Sequence, residues 1–225
     1  MGDLSRLEEQ LGYTFHEREL LYRALCHRSW VAENPGDTSN ERLEFLGDAV
    51  LGWVTADLAF RRHADITEGT LTDLRKAVVN ARALAGVART LGLGGYILLG
   101  RGEAAAGGAD KDSILSDAVE AVLGAVYLDG GVDAAWRCVE RLIGPLLDAA
   151  PADLSRLDPK SALQEHLAAA GLPAPVYEVT GTGPDHDRWF TASVLSGAQL
   201  LGTGDGRSRK TAEASAAAAA LDALD

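Results

Sequence analysis

Five carboxylates lie along two stretches of the sequence at helical spacing. Glu41, Glu44 and Asp48 occur in ERLEFLGDAVL, and at ~100° per residue they fall within about 60° of one another on one helical stripe. Asp117 and Glu120 are three residues apart in DSILSDAVEAVLGAVYL and share one face of a second helix. Acids placed this closely repel one another, so a bound cation would stabilise both stripes.

The other positions of the two stretches indicate what such a cation could be. Each acidic stripe has an apolar back that can face a core, and small side chains flank the second stripe. Hard divalent cations such as Mg²⁺ prefer carboxylate oxygens, and such a metal can activate water and stabilise the leaving oxygen of a phosphodiester. Acidic faces of ordinary surface helices would have the same spacing, so spacing alone leaves both interpretations open. The apolar backs are Leu43, Leu46 and Val50, and Leu115, Ala118, Val119, Val122 and Val126; the small residues are Ser113, Ser116 and Gly124.

Phe45 falls on the polar side of the first stripe, close to Glu41 and Asp48. A large apolar ring beside an acid cluster is unfavourable in water. The sequence therefore predicts that Phe45 packs on a partner subunit or a neighbouring element. A tilted helix that buries the ring in its own domain is the alternative.

Composition limits the class of protein. The net charge of −12 over 225 residues argues by itself against a nucleic-acid partner, because phosphate binding usually needs basic surface. That objection is met if the acids are concentrated where cations bind, or if basic residues cluster locally. Cys26 and Cys138 have no metal-ligand spacing, which favours reduced thiols. The sequence shows no signal-peptide pattern or long apolar stretch, so we expect a cytoplasmic protein.

The elements that must position these residues change in character along the chain. Apolar residues recur at helical spacing throughout residues 1–150, which predicts an all-α domain. Residues 151–158 carry prolines and charges, as linkers do. Residues 159–225 predict a small α+β domain of order α-β-β-β-α. Its expected strands are 176–180, 189–195 and 199–204, between helices at 160–170 and 208–224. The Ala-rich stretch 216–220 is expected to pack closely on the sheet.

The run NERLEFLGDAVL, residues 40–51, resembles the signature of the ribonuclease III family. Residues 11–30, 68–80 and 111–131 are similar to further segments of that family in order and spacing. The C-terminal part resembles a double-stranded-RNA-binding domain through DPKSALQEHL, GPDHDRWFTASV and GDGRSRKTAEASAAAAAL. The resemblance spans essentially the whole chain.

The resemblance implies an endonuclease that cuts double-stranded RNA into products with 5′-phosphate and 3′-hydroxyl ends, in ribosomal-precursor and messenger processing. It implies a homodimer with a catalytic valley across the interface, where Phe45 is an interface aromatic. Mg²⁺, with Mn²⁺ as a substitute, is the implied cofactor. By the same resemblance Asp48, Glu120 and Glu41 are catalytic, with Glu41 placing the RNA, and Glu68 is a further valley acid. The implied metal ligands are Glu44, Asp48, Asp117 and Glu120.

Double-stranded RNA is read mostly by shape, through 2′-hydroxyls and phosphates over roughly 16 bp. In the C-terminal domain, polar side chains of the first helix, a strand-to-strand loop and the basic start of the last helix can supply such contacts. This domain departs from the family in charge, because residues 158–225 hold nine acidic and five basic residues. We therefore expect weaker, more salt-sensitive binding. The candidate RNA contacts are Gln164, Glu165, His186, Ser208, Arg209 and Lys210.

A non-catalytic RNA-binding or scaffolding protein on the same fold is the alternative function. The acid set distinguishes the two functions, because a scaffold can lose acids that a nuclease needs. All five acids of the two stripes are present in this sequence. The sequence therefore favours the enzyme.

Overall fold

The computed structural model of the protein describes residues 4–149, 159–184 and 188–224. The chain groups into two compact units, Met1–Ala149 and Ala150–Asp225. The predicted linker, residues 151–158, lies outside the described residues. In the described part of the chain, none of the helices has the length and apolar character needed to cross a membrane.

The first unit is built from helices, which confirms the predicted all-α class. Its two longest helices, α4 and α8, carry the five acids, and both bury a continuous apolar side. Short 3₁₀ turns cover Leu93–Gly95 and Gly108–Asp110. The helices are α1 Ser5–Leu11, α2 Arg18–Ala24, α3 Arg28–Glu33, α4 Glu41–Arg62, α5 Glu68–Val79, α6 Ala81–Thr90, α7 Arg101–Ala105 and α8 Asp112–Ala149.

The core of the first unit lies between α4 and α8. Leu43 and Val50, on the predicted apolar back of the first stripe, are buried. On the second stripe the predicted back from Leu115 to Val126 is buried as well. The helices can therefore present their acids on the sides that remain accessible, as the two-stripe pattern predicts.

Two helices are shorter than the apolar periodicity indicates. Residues 16–30 follow one helical pattern, but the structure divides them into α2 and α3. The backbone N–H of His27 donates to the Leu98 carbonyl at 3.1 Å, and the N–H of Leu98 donates to the Leu25 carbonyl at 2.8 Å. These bonds hold the segment extended, and the ring of His27 then caps α3 by accepting from the Ser29 N–H at 3.2 Å.

The α5–α6 boundary has a similar cause. Asn80 has extended backbone angles, φ −73° and ψ 161°, and its side-chain oxygen accepts from the Ala83 N–H at 3.0 Å. Its side-chain amide donates to the Ala77 carbonyl at 2.7 Å. One residue thus ends α5 and begins α6, although the apolar spacing continues through it.

α8 is interrupted where the sequence reads Asp129-Gly130-Gly131. Gly131 has φ 72°, in the left-handed region that favours glycine, so the helix changes direction there. Two residues earlier, the buried carboxylate of Asp129 accepts from the Tyr13 hydroxyl at 2.6 Å and from the His16 N–H at 2.8 Å. Burial alone would raise the pKa of Asp129, but these bonds lower it to about 2. The interruption is therefore tied to the segment that precedes α2.

The second unit is a three-stranded antiparallel sheet of order β1-β2-β3 with two helices, which confirms the predicted α-β-β-β-α order. Its elements are α9 Pro159–Ala169, β1 Pro175–Thr182, β2 Trp189–Ser196, β3 Gln199–Gly206 and α10 Arg209–Leu224. A Cβ at Gly204 of β3 would lie 2.2 Å from the backbone nitrogen of Ala216. The close contact confirms that the alanines of α10 pack directly on the sheet. The buried alanines of α10 are Ala212, Ala216, Ala217 and Ala220.

Candidate functional site

Three acids from two helices converge in the first unit. Glu44 comes from α4, and Asp117 and Glu120 come from successive turns of α8. Each offers a carboxylate oxygen, and these oxygens all lie within 4.8 Å of one another. All three side chains are half-buried. Convergent carboxylate oxygens at this separation form a donor set suited to a hard divalent cation.

The charges of these carboxylates are poorly compensated by the protein itself. Burial raises the pKa of Glu120 to about 7, and the negative charges of Asp48, Asp117 and Glu44 act in the same direction. Burial also raises the pKa of Glu44 and of Asp117. Among the described residues, no lysine or arginine forms an ion pair with these three carboxylates. A cation placed between them would supply the missing positive charge.

Asp48 and Glu41 lie beside this group rather than inside it. Asp48 is exposed and does not share the 4.8 Å grouping, although its charge acts on Glu120. Glu41 is the first residue of α4 and accepts from the Ser39 hydroxyl at 2.7 Å. Spacing along α4 predicts that Glu41 and Asp48 share one stripe with Glu44. Where α4 crosses α8, however, only Glu44 of these three joins Asp117 and Glu120.

A cleft of about 390 Å³ opens beside the acids, and we call it the acid cleft. Side chains from four parts of the chain line it. Some are acids of the two predicted stripes, and others are charged residues that the sequence did not indicate. The lining residues are His27, Arg28, Asn40, Glu41, Glu44, Glu103, Lys111, Ser113, Ile114 and Asp117.

Sequence reasoning missed the basic lining of the acid cleft. His27 and Arg28 come from the α2–α3 break, which apolar spacing does not reveal. Lys111 precedes α8 and donates to the Glu103 carboxylate. Periodicity carries no signal for these residues, because the α2–α3 break and the segment before α8 place them, and not a helical stripe.

A larger groove of about 580 Å³ lies between α6 and the end of α8. Its lining is mainly apolar, with Arg82 and Arg141 among its residues, and no described acid contributes to it. It therefore lacks the groups for metal chemistry. The smaller acid cleft is the candidate catalytic site.

Phe45 does not pack into its own unit, which excludes the tilted-helix alternative. Its side chain is 81% exposed on α4. Trp53 and Phe60 follow on the same side of the helix and are 49% and 68% exposed. We call these three residues the aromatic face. Such a row of exposed rings is unusual on a surface that faces only water.

Glu68 lies apart from the acid cleft within this chain. It is exposed at the start of α5 and accepts from the Thr72 hydroxyl at 3.0 Å. It borders a small hollow of about 190 Å³ together with Phe60 and Arg75. Within one chain, Glu68 is thus a neighbour of the aromatic face rather than of the three converging acids.

In the second unit, the candidate RNA contacts that the structure describes are all exposed. Gln164 and Glu165 lie on α9, and Arg209 and Lys210 begin α10. Ser208 precedes α10, and its hydroxyl accepts from the Thr211 N–H at 3.1 Å, which is the contact of a helix cap. His186 lies outside the described residues. The candidates therefore occur on two separate helix surfaces of this unit.

One of the five basic residues in 158–225 has a structural role. Lys160 of α9 donates to the Glu213 carboxylate of α10 and lies 4.6 Å from the centre of the Tyr177 ring. This pairing joins the two helices of the unit. It leaves fewer positive charges for phosphate in a unit that is already acidic.

Both units match families of known proteins. Residues 17–146 match the family model described as Ribonuclease-III-like, and residues 159–224 match the double-stranded RNA binding motif. Ribonuclease 3 of Mycobacterium tuberculosis is 58% identical over 210 residues, which cover 92% of this chain and 88% of that protein. The chain belongs to the ribonuclease III family. Ribonuclease 3 of Streptomyces coelicolor is 55% identical over 214 residues, covering 95% of this chain and 77% of that protein.

Solved structures agree with the helical first unit. The nuclease domain of ribonuclease III from Campylobacter jejuni superposes with a TM-score of 0.60 at 43% identity, covering 64% of this chain and 97% of that chain. A second structure of that domain gives 0.61 at 42% identity, with 65% and 97% coverage. A ribonuclease III domain joined to a double-stranded-RNA-binding domain is the composition of an endoribonuclease that acts on double-stranded RNA. This is the function of the chain, and the non-catalytic alternative is not favoured.

Proposed function

We propose that this ribonuclease III hydrolyses double-stranded RNA at the acid cleft with Mg²⁺, for which Mn²⁺ can substitute. The observation that carries the proposal is the convergence of Glu44, Asp117 and Glu120 within 4.8 Å. When bound there, the metal would activate water and stabilise the leaving oxygen of the phosphodiester. The products would end in a 5′-phosphate and a 3′-hydroxyl.

The acids of the cleft and its surroundings would have different roles. Glu44, Asp117 and Glu120 would hold the metal, and Asp48 would complete the negative set beside Glu120. Glu41, at the rim of the cleft, would place the RNA strand. Half-burial keeps the three ligand side chains partly shielded from water, which strengthens their attraction for a cation.

We further propose that two copies of the chain pair through the aromatic face. Phe45, Trp53 and Phe60 give an apolar row on one side of α4, and pairing would remove these rings from water. One of the Campylobacter jejuni structures is described as flexible in a region of the nuclease domain that is involved in dimer formation. In such a pair the acid clefts and Glu68 would border one valley, and each copy would cut one strand.

The remaining assignments follow the domain order. Residues 1–150 would cut and dimerise, residues 151–158 would link, and residues 159–225 would bind the duplex. The RNA contacts would come from Gln164 and Glu165 on α9, from Ser208, Arg209 and Lys210 at α10, and from His186. We also propose that the protein is cytoplasmic and processes ribosomal precursors and messengers. Cys26 and Cys138 are buried and free, which suits a reducing compartment.

Cleavage of a long end-labelled RNA duplex by the purified protein tests the function. We expect cutting in Mg²⁺ or Mn²⁺, no cutting in a chelator, and no cutting of the separated strands. Mapping of the product ends should find 5′-phosphates. Cutting that persists in chelator would refute the metal mechanism, and binding of the duplex without cutting in Mg²⁺ would favour the scaffold.

A further inference from the structure

The acid cleft contains three basic side chains, and two of them are already engaged. Lys111 donates to the Glu103 carboxylate, which lies on the same lining. His27 accepts from the Ser29 N–H as the cap of α3, and burial lowers the pKa of its imidazole. Neither residue has a free positive charge to offer a ligand in the cleft.

Arg28 differs from both. Its side chain is exposed and lines the acid cleft. Within residues 4–149, 159–184 and 188–224, the Arg28 guanidinium has no hydrogen bond or ion pair with another side chain. It is nevertheless close enough to the ligand acids to act on them: burial raises the pKa of Glu44 and of Asp117, and the charge of Arg28 opposes that rise in both.

The charge of the cleft explains why an unengaged arginine matters there. Glu41, Glu44 and Asp117 line the same space, and Lys111 neutralises only Glu103. A backbone phosphate entering beside these acids is repelled even when one divalent cation is bound. A guanidinium presents several N–H donors in a planar fork that matches phosphate oxygens.

We propose that Arg28 binds a backbone phosphate of the RNA strand that enters the acid cleft and so positions that strand beside Glu44 and Asp117. This inference rests on the proposed function of the cleft. It assigns to the catalytic unit a phosphate contact of its own, which would supplement the few basic residues of the acidic second unit. Arg28 would act through direct contact with substrate and not through the fold.

Salt dependence of RNA binding tests this role, because each phosphate contact adds about one to the slope of log Kd against log salt. The proteins compared all carry Glu120→Gln, are kept in Mg²⁺, and have Arg28 intact, Arg28→Ala, Arg28→Lys or Arg101→Ala. Arg101 is the matched control, since its side chain is 97% exposed and lies outside the cleft. Thermal melts of all four report folding, and Arg28→Gln replaces Arg28→Ala if the latter melts early.

We expect Arg28→Ala to weaken duplex binding about 10-fold and to lower the slope by about one. Arg28→Lys should keep the slope, and Arg101→Ala should change neither quantity. An unchanged slope in Arg28→Ala overturns the proposal. So does a higher Mg²⁺ requirement for cleavage when Arg28→Ala is made with Glu120 intact, if the slope is unchanged, because Arg28 would then act on the carboxylates instead of the RNA.

Failure of the proposed function is measured separately. The chain with Glu120 intact is tested for cleavage of the same duplex in Mg²⁺. If it does not cut, the metal-dependent nuclease site is refuted, while the salt slopes still decide whether Arg28 contacts phosphate. If it cuts, and Arg28→Ala changes neither the slope in the Glu120→Gln protein nor kcat/KM with Glu120 intact, only the inference about Arg28 is refuted.

Discussion

Gly47 of α4 lies directly against Glu120 of α8: a Cβ built on Gly47 would stand 1.7 Å from the Glu120 carbonyl oxygen. The contact is reciprocal, since a Cβ on Gly124 would stand 2.3 Å from the Leu43 carbonyl oxygen. The two helices therefore touch backbone to backbone where the acids lie. This close approach brings Glu44 of one helix within reach of Asp117 and Glu120 of the other.

Gly47→Ala should separate α4 from α8. Because the added methyl group meets backbone and not a movable side chain, we expect a loss of roughly 1–3 kcal/mol in the free energy of unfolding, or more. The rate of cleavage should fall even at temperatures where the variant is fully folded, since the three acids would no longer converge. Urea unfolding and duplex cleavage at a temperature where the variant is folded measure the two effects.

The matched control is Gly86→Ala in α6. Gly86 is exposed in a helix interior, and a Cβ there would meet no atom within 4 Å. Alanine should raise helix stability by about 0.5–1 kcal/mol at such a position. If Gly47→Ala unfolds and cuts like the unmodified protein, the close crossing of α4 and α8 does not organise the site.

Glu120→Gln should nearly abolish cleavage, by about 10²-fold or more, because it removes one carboxylate of the proposed metal site. The amide has the same size, so folding, pairing of the two copies and duplex binding should be retained. Cleavage assays and duplex-binding assays in Mg²⁺ measure the loss of activity and the retained affinity separately. Glu9→Gln, at an exposed acid of α1, is the control and should cut normally. Equal loss of binding and cleavage in Glu120→Gln would argue for a structural role.

The pH dependence of stability should report the same carboxylate. Burial first, then neighbouring acids, raise the pKa of Glu120 from 4.5 to about 7, so between these values the folded state binds more protons than the unfolded state. The free energy of unfolding must therefore fall as the pH rises through this window. Calorimetry in chelator should give a melting temperature that decreases from about pH 5 to about pH 8. A decrease that is equally large in Glu120→Gln would exclude Glu120 as its source.

Much of the fold follows from local pattern, and the exceptions have identifiable causes. The apolar backs of α4 and α8 and the alternation of the three strands are local features, so their elements could be predicted. The break at His27 depends on hydrogen bonds with Leu98, which is distant in sequence. Asn80 ends one helix and begins the next by its side-chain bonds, which apolar spacing does not encode.

The site was predictable to a similar degree. Spacing and resemblance pointed to Glu44, Asp117 and Glu120, which converge in the structure, because residues three or four apart on a helix share a face. Glu44 is half-buried beside Asp117 and Glu120, whereas Asp48 is exposed. This difference depends on the angle at which α4 crosses α8, which cannot be predicted from a single sequence. Arg28 could not be found from spacing, because the break between α2 and α3 places it at the cleft.

Phe45→Ala should weaken pairing of the chains. The ring is 81% exposed in one copy, and loss of a central interface aromatic typically costs about 2 kcal/mol or more, which is roughly a 30-fold weaker dimer. Sedimentation at decreasing protein concentration measures the change. Leu172→Ala, at an exposed apolar residue of the second unit, should leave sedimentation unchanged. A dimer of undiminished stability in Phe45→Ala would place the interface elsewhere.

The position of a bound metal tests the proposed mechanism most directly. Crystals of the cleavage-competent protein soaked in Mn²⁺ can be measured at a wavelength where manganese scatters anomalously. We expect a peak between the carboxylates of Glu44, Asp117 and Glu120, and its loss together with cleavage in Glu120→Gln. A Mn²⁺-dependent, active protein whose only anomalous peak lies away from these three acids would contradict the assignment.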